Sequence, residues 1–165
     1  MANLMDIIED ATILEIPARK RLTMKLRTLP SRLATGAYIL HSGIQKWSGS
    51  PEQAIGIHAM ASNALPVLKS IDAPKFLRAL SAAEIATGLV LLAPFVPAGL
   101  AGAALTGFSG SLVAMYLRTP SLRKPASIWP SPQGIAVSKD IWMLGIGLGL
   151  LIDEAGERRR PSKTA

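Results

Sequence analysis

The chain has no cysteine among its 165 residues. That excludes disulfide exchange, thiolate nucleophiles, cysteine-bound zinc and iron–sulfur clusters. It leaves the redox compartment open, since a cysteine-free protein fits either side of a membrane. Histidine is almost as scarce: His41 and His58 stand alone, without acids at ligand spacing, so no metal motif forms. Ser42, Ser109 and Ser111 lack any nucleophile-elbow context. A cleavable leader is not evident, because the first 27 residues mix Asp6, Glu9, Asp10 and Glu15 with Arg19, Lys20, Arg21, Lys25 and Arg27.

Charge is missing from long stretches. Acids and bases crowd into residues 1–32, 69–78, 118–124 and 153–163, and what lies between is almost uncharged. The net charge of +7 would suit a nucleic-acid partner. Here, however, the basic residues flank apolar segments and form no stripe within a polar unit. That is the pattern of membrane boundaries, so the expected partner is a lipid bilayer and not nucleic acid.

Four apolar segments follow one another: 29–47, 76–95, 99–117 and 138–152. A helix needs about 20 residues to cross the hydrocarbon core. The third segment meets this without a single charge, the second carries one acid, Glu84, and the first and fourth are marginal and polar at one end. The expected fold is all-α, an integral membrane bundle of four transmembrane helices. Pro94 and Pro97 set a tight turn between the second and third. Three regions result: a basic amino-terminal segment 1–27, a membrane domain 28–153 and a basic tail 154–165. Leu4, Ile7, Ile8 and Ala11 share one face of a short amphipathic helix that Pro17 ends. In the connection 48–75, Ile57, Ala61, Ala64, Leu68 and Ile71 share a face that would lie on the outer membrane surface or cap the bundle. Residues 118–137 read as a proline-rich loop.

With four spans, Arg19, Lys20, Arg21, Lys25, Arg27 and Arg32 fall on the same side as Arg158, Arg159, Arg160 and Lys163. The positive-inside rule makes that side cytoplasmic and places both termini there. Trp47, Tyr116, Trp129 and Trp142 then gather at the outer interface as an aromatic belt.

Gly99, Ala103, Gly107 and Ser111 recur every fourth residue in the third span, and Gly145 and Gly149 do so in the fourth. Such stripes let helix backbones approach closely, so Gly107 and Gly145 are expected against neighbouring helices. The Gly-x-Gly-x-Gly run 145–149 has no preceding strand and is not a nucleotide loop.

Ionisable residues within spans are costly and need a reason. At about 1.5 Å rise per residue, Glu84 lies about 12 Å and His41 about 9 Å below the outer surface. Gln45, Lys46, Lys139 and Asp140 sit just above, and Arg118 ends the third span. These residues converge on one outward-facing polar pocket. Either His41 and Glu84 exchange protons or bind a quinone or lipid headgroup, or Glu84 pairs with Lys46 or Arg118 and the pair sets helix register. His58 falls outside the spans and is expected at the surface.

These pieces resemble a known family. Arg32 with Gly36, followed by the run 42–47 (Ser-Gly-Ile-Gln-Lys-Trp), is similar to the first helix of DoxX-type membrane proteins. Glu84 with Thr87-Gly88-Leu89 and Leu91-Leu92-Ala93-Pro94 resembles their second helix. Gly134, then the run 139–145 (Lys-Asp-Ile-Trp-Met-Leu-Gly), resembles their last. The likeness spans roughly residues 28–153 and implies a compact four-helix bundle in the bacterial cytoplasmic membrane. The family takes its name from proteins linked to a quinone-dependent oxidase and to thiosulfate oxidation, and many members have no demonstrated activity.

Three functions compete. The first is an accessory subunit, without catalysis of its own, that binds a protein partner or a second copy. The second is a quinone-reactive subunit of an oxidoreductase. The third is a small lipid or solute binding or transport protein. No cofactor motif is evident, and a quinone is the one candidate the pocket leaves open.

Overall fold

A computed structural model describes residues 25–159, and the expected helix at 4–16 and the end of the basic tail lie outside them. Among the described residues the chain is all-helical, with a single isolated bridge between Arg123 and Pro130. Helix α1 spans Leu29–Trp47, α2 Pro51–Ala64, α3 Ala73–Leu92 and α4 Ala98–Arg118. The short α5, Ile135–Ser138, leads into α6, Asp140–Arg158. Two helical stretches, Ala98–Arg118 and Pro132–Arg158, are long and apolar enough to cross a membrane.

Helix ends follow local chemistry. Ser50 caps α2, accepting a hydrogen bond from the Gln53 N–H at 3.3 Å, and Pro51 opens the first turn, where its missing N–H costs nothing. Pro66 ends the face begun by Ile57 and Ala61, and the chain continues as the 3-10 turn Pro66–Ser70. Helix α6 runs through Asp153, Glu154 and Glu157, past the boundary drawn at 153 from charge alone. Those acids are not a solvated tail. Arg27 Nε lies 2.6 Å from Asp153 Oδ1, Lys25 Nζ lies 4.0 Å from Glu154 Oε2, and both bases also pair with Glu157. The cluster clasps the start of α1 to the end of α6.

The bundle is built from two tight antiparallel pairs, α1 with α3 and α4 with α6. In the first pair glycines let the backbones meet. A Cβ at Gly88 would stand 2.7 Å from Leu40 Cβ, and one at Gly43 would stand 2.9 Å from Glu84 Cβ. Ser81 Oγ, buried in the same interface, donates to the Gly43 carbonyl at 2.6 Å. Arg32, fully buried, finishes the pair. Its guanidinium donates to the carbonyls of Leu91 (2.8 Å), Val96 (2.9 Å), Ala93 (3.0 Å) and Val90 (3.2 Å). They belong to the last turn of α3 and the turn into α4, where a helix end leaves carbonyls short of backbone partners; the Ala93 carbonyl also accepts from the Val96 N–H at 3.2 Å.

In the second pair the close approach lies one helical face away from the expected stripe. A Cβ at Gly102 would meet the Gly147 carbonyl at 2.8 Å, and one at Gly147 would meet Thr106 Oγ1 at 2.6 Å. Gly107, Gly145 and Gly149 instead face open space, with nothing within 4 Å of an added Cβ. Ala103 and Ser111 are exposed, and of the stripe only Gly99 meets another helix, at Glu154 Cγ, 2.9 Å. The four-residue spacing marks a face of each helix, and that face is mostly turned away from the α4 and α6 contact. The interface also uses Ala98, Ala101, Leu105 and Ser109, which mix sizes and so hide the repeat.

Residues 119–134 form an ordered loop. Ser131 N–H donates to the Leu122 carbonyl at 2.9 Å, and Tyr116 OH donates to Ile128 O at 2.7 Å. Tyr116 is therefore buried under the loop and does not join a surface belt, whereas Trp47, Trp129 and Trp142 are exposed. Gly134 lies so close to this loop that a Cβ would overlap the Leu122 carbonyl oxygen, at 1.8 Å.

Two measurements check this packing. Gly147→Ala should lower thermal stability in detergent by about 1–3 kcal/mol, the usual cost of forcing atoms into a packed contact. Gly107→Ala and Gly145→Ala should leave it unchanged or raise it, since Ala favours helix where space is free. Equal loss at all three would displace the interface from Gly102 and Gly147. Arg32→Lys should destabilise by about 3–5 kcal/mol, as for a broken buried charge network, because an ammonium cannot reach four carbonyls at once.

Candidate functional site

Helical spacing gathers one face from each long helix. Tyr38, Ser42 and Lys46 lie at four-residue intervals on α1, as do Phe76, Leu80 and Glu84 on α3. Phe108, Leu112 and Met115 supply α4, and Asp140 and Met143 supply α6. Ile57, Met60 and Ala61 of α2 close the top, so the capping role expected for that face is the arrangement seen. Together they enclose a chamber of about 260 Å³ at the end of the bundle opposite the Lys25 and Arg27 clasp. Its walls are mostly apolar.

Three charged side chains line it: Lys46, Glu84 and Asp140. Lys46 Nζ lies 2.9 Å from Glu84 Oε2 and donates to Ser42 Oγ at 2.5 Å. Glu84 is buried, with its side chain 8% exposed, and that of Lys46 is 19% exposed. In a pair this dry, removing either member leaves the other buried without its counter-ion.

The other residues drawn to the pocket point elsewhere. His41 and Gln45 are exposed on α1. Each follows a buried residue, Ile39 or Gly43, by two positions, which is about 200° round a helix of 3.6 residues per turn. Depth along the axis was legible from residue rise, but side is set by phase. Arg118 is exposed two residues beyond buried Tyr116, for the same reason, and Glu84 does not pair with it. Lys139 is exposed and lines a neighbouring groove with Asp140 and Trp142. Tyr38, Phe76, Phe108 and the methionines of the chamber carry no signal in a sequence, because apolar wall and apolar core look alike.

His58 is not free at the surface. Its Nε2 lies 2.9 Å from the Leu68 carbonyl and 3.2 Å from Ser62 Oγ, and its ring meets Phe76 edge-on at 5.4 Å. It fixes α2 to the turn that follows and to α3. Arg78 lies 5.5 Å over the Trp47 ring and adds a second tie between α3 and α1 beside the chamber. Among the described residues no group of three or more His, Asp or Glu side chains is placed to hold a metal ion.

No protein-family model, no curated protein and no solved structure matches the chain.

The pair makes a defined prediction. Lys46→Met should destabilise by about 3–5 kcal/mol by leaving the Glu84 carboxylate buried and uncompensated. Adding Glu84→Gln should recover most of that loss, and Arg118→Gln should change nothing. Thermal melts of the four proteins in one detergent read the cycle. A double variant as unstable as Lys46→Met alone would mean that the two side chains do not act as a pair.

Proposed function

We propose that this is a DoxX-like integral membrane protein that crosses the bilayer four times and binds a small amphipathic ligand in the chamber. The carrying observation is the buried Lys46–Glu84 pair with Asp140 in an otherwise apolar, partly open pocket of about 260 Å³, just under the usual span of about 300–1,000 Å³ for small-molecule sites.

A bilayer setting is supported by what the helices bury and what they expose. Arg32, Ser81, Glu84, Thr87 and Ser109 are buried, while Leu33, Ile44, Leu89, Leu100, Ile141, Leu148 and Ile152 are exposed. Only 28% of the apolar window of α4 and 11% of that of α6 is buried within the chain. An apolar face of that extent requires lipid or protein against it. Helices α1 and α3 fall below the composition of a free-standing span because of residues such as Arg32 and Glu84, which face inward. At 19 and 20 residues they still suit a core that about 20 residues cross. Lys25 and Arg27 share one end with the carboxyl end of α6, which favours both termini on the cytoplasmic side of a bacterial membrane.

A quinone fits the chamber less well than a ligand that offers positive charge or donors. Quinone carbonyls need donors, yet Lys46 is engaged by Ser42 and Glu84, and His41 lies outside. The partner-binding reading has its own support. Gly107, Gly145 and Gly149 leave faces where another helix backbone could approach closely.

The absence of native cysteine makes topology directly measurable. Ser50→Cys should react with an impermeant maleimide on intact cells, and Arg159→Cys should react only after the membrane is opened. Reversed labelling would overturn the orientation. Native mass spectrometry of protein extracted with its lipids should show a retained small molecule that Met60→Trp, which fills the chamber, displaces. A chamber that never carries one through extraction would count against ligand binding.

A further inference from the structure

We infer that the ligand is a lipophilic organic cation, entering sideways from the bilayer between α1 and α6 and held by Asp140; this rests on reading the chamber as a ligand site.

The charge of the chamber points to it. Two carboxylates, Glu84 and Asp140, face one ammonium, Lys46. Lys46 is committed to Glu84 Oε2 and Ser42 Oγ. No side chain among the described residues is hydrogen-bonded to Asp140 or forms an ion pair with it. The chamber thus holds one carboxyl group more than it has cations, half-buried, in surroundings where an unpaired ion is costly. An anion would meet that carboxylate and find its only cation taken.

The walls decide between a metal ion and an organic cation. A hard metal ion needs several oxygen ligands, and the lining supplies mostly hydrocarbon, sulfur and rings. Phe76 and Phe108, both half-buried, offer aromatic faces inside and the exposed Tyr38 offers one at the mouth; such faces attract ammonium groups most strongly where water is scarce. Met60, Met115 and Met143 are flexible and polarisable, and adapt to irregular apolar shapes. One carboxylate, three rings and three thioethers suit a cation that carries its charge on an apolar body.

The route follows from shared lining. Tyr38, Asp140 and Met143 belong both to the chamber and to a groove of about 390 Å³ between α1 and α6. That groove opens on the flank of the bundle, where Thr35, Trp142 and Ile146 border it. A ligand partitioned in lipid would meet Asp140 first, then turn inward past Met143. Lys139 lines the groove but not the chamber and is exposed, so it can carry its charge out to the interface and leaves the excess inside unchanged.

The test uses the full chain in a neutral detergent and isothermal titration with three probes. They are benzyltrimethylammonium, its uncharged carbon analogue neopentylbenzene, and phenylacetate. The cation should bind at least tenfold more tightly than the neutral analogue, and phenylacetate should not bind. Asp140→Asn should weaken the cation at least tenfold, and Asp140→Glu should restore most of that. If the neutral analogue binds as well as the cation, or Asp140→Asn leaves the cation unaffected, the inference falls while the chamber remains a ligand site. If phenylacetate binds best, the inference also falls. If none of the three binds to protein with an intact thermal transition, both the inference and the ligand-binding reading fail. The comparison among probes is made on the unaltered chain, so it stands even if Asp140→Asn does not fold.

Discussion

The buried Arg32 guanidinium is the point at which the two helix pairs are joined. A helix that ends inside a low-dielectric bundle leaves carbonyls without partners, and each unpaired one is costly. Leu91, Val90, Ala93 and Val96 surrender theirs to one planar, permanently charged group reaching across from the first turn of α1. The same contacts settle the angle of the 93–97 turn, so they determine how α4 leaves α3. Lysine could supply the charge but not the fork of donors. Because a guanidinium keeps its proton throughout the ordinary range, this junction does not depend on pH.

From that junction the rest is a matter of spacing. Glycines at 36, 43 and 88 draw α1 and α3 together along their length, and Gly102 and Gly147 do the same for α4 and α6. Close packing within each pair leaves the wider seam between pairs. At one end that seam is shut by Arg27 with Asp153 and by Lys25 with Glu154. At the other, large side chains from four helices meet under α2 without filling the space, and the chamber is what remains. Its polar residues come from the α1 and α3 pair except for Asp140, which arrives from α6.

Much of this architecture was legible before any coordinates. The limits of α1 and α4 lie within a residue of the apolar segments, because charge and proline mark them. The sequence offered Lys46 or Arg118 as partner for Glu84, since rise per residue puts both within reach, and Lys46 is the one that pairs. What the sequence concealed was helix phase. His41, Gln45 and Arg118 sit at suitable heights and face outward, and Gly107 and Gly145 belong to a stripe whose Cβ positions meet nothing in the chain. In a soluble helix the polar face would betray the phase. Here large apolar residues such as Ile44, Leu89, Leu100 and Ile141 are exposed, so hydrophobicity does not distinguish inside from outside, and small residues and buried charges remain as markers. Glycine spacing alone offered two faces, and the sequence had no means to choose between them. The end of α6 was hidden for a different reason: its acids looked like a tail because their partners lie 126 or more residues away.

The distribution of charge between the two pairs has a further consequence for how the chamber behaves. Lys46 and Glu84 neutralise each other within the α1 and α3 pair, at 2.9 Å, so their attraction draws no force across the seam. Asp140 stands alone on the other side of it, with Glu84 repelling it and Lys46 attracting it. Those two influences oppose one another, and the seam gains little from either. Any cation placed between them would be attracted by carboxylates on both pairs at once and would tie α6 to α3 where no direct ionic contact does so among the described residues. The clasp of Arg27 and Asp153 already holds the far end closed without a ligand. Occupancy would therefore stiffen the chamber end far more than the clasp end, and the α1 and α6 groove, bordered by Asp140 itself, is the part of the bundle whose width would follow it.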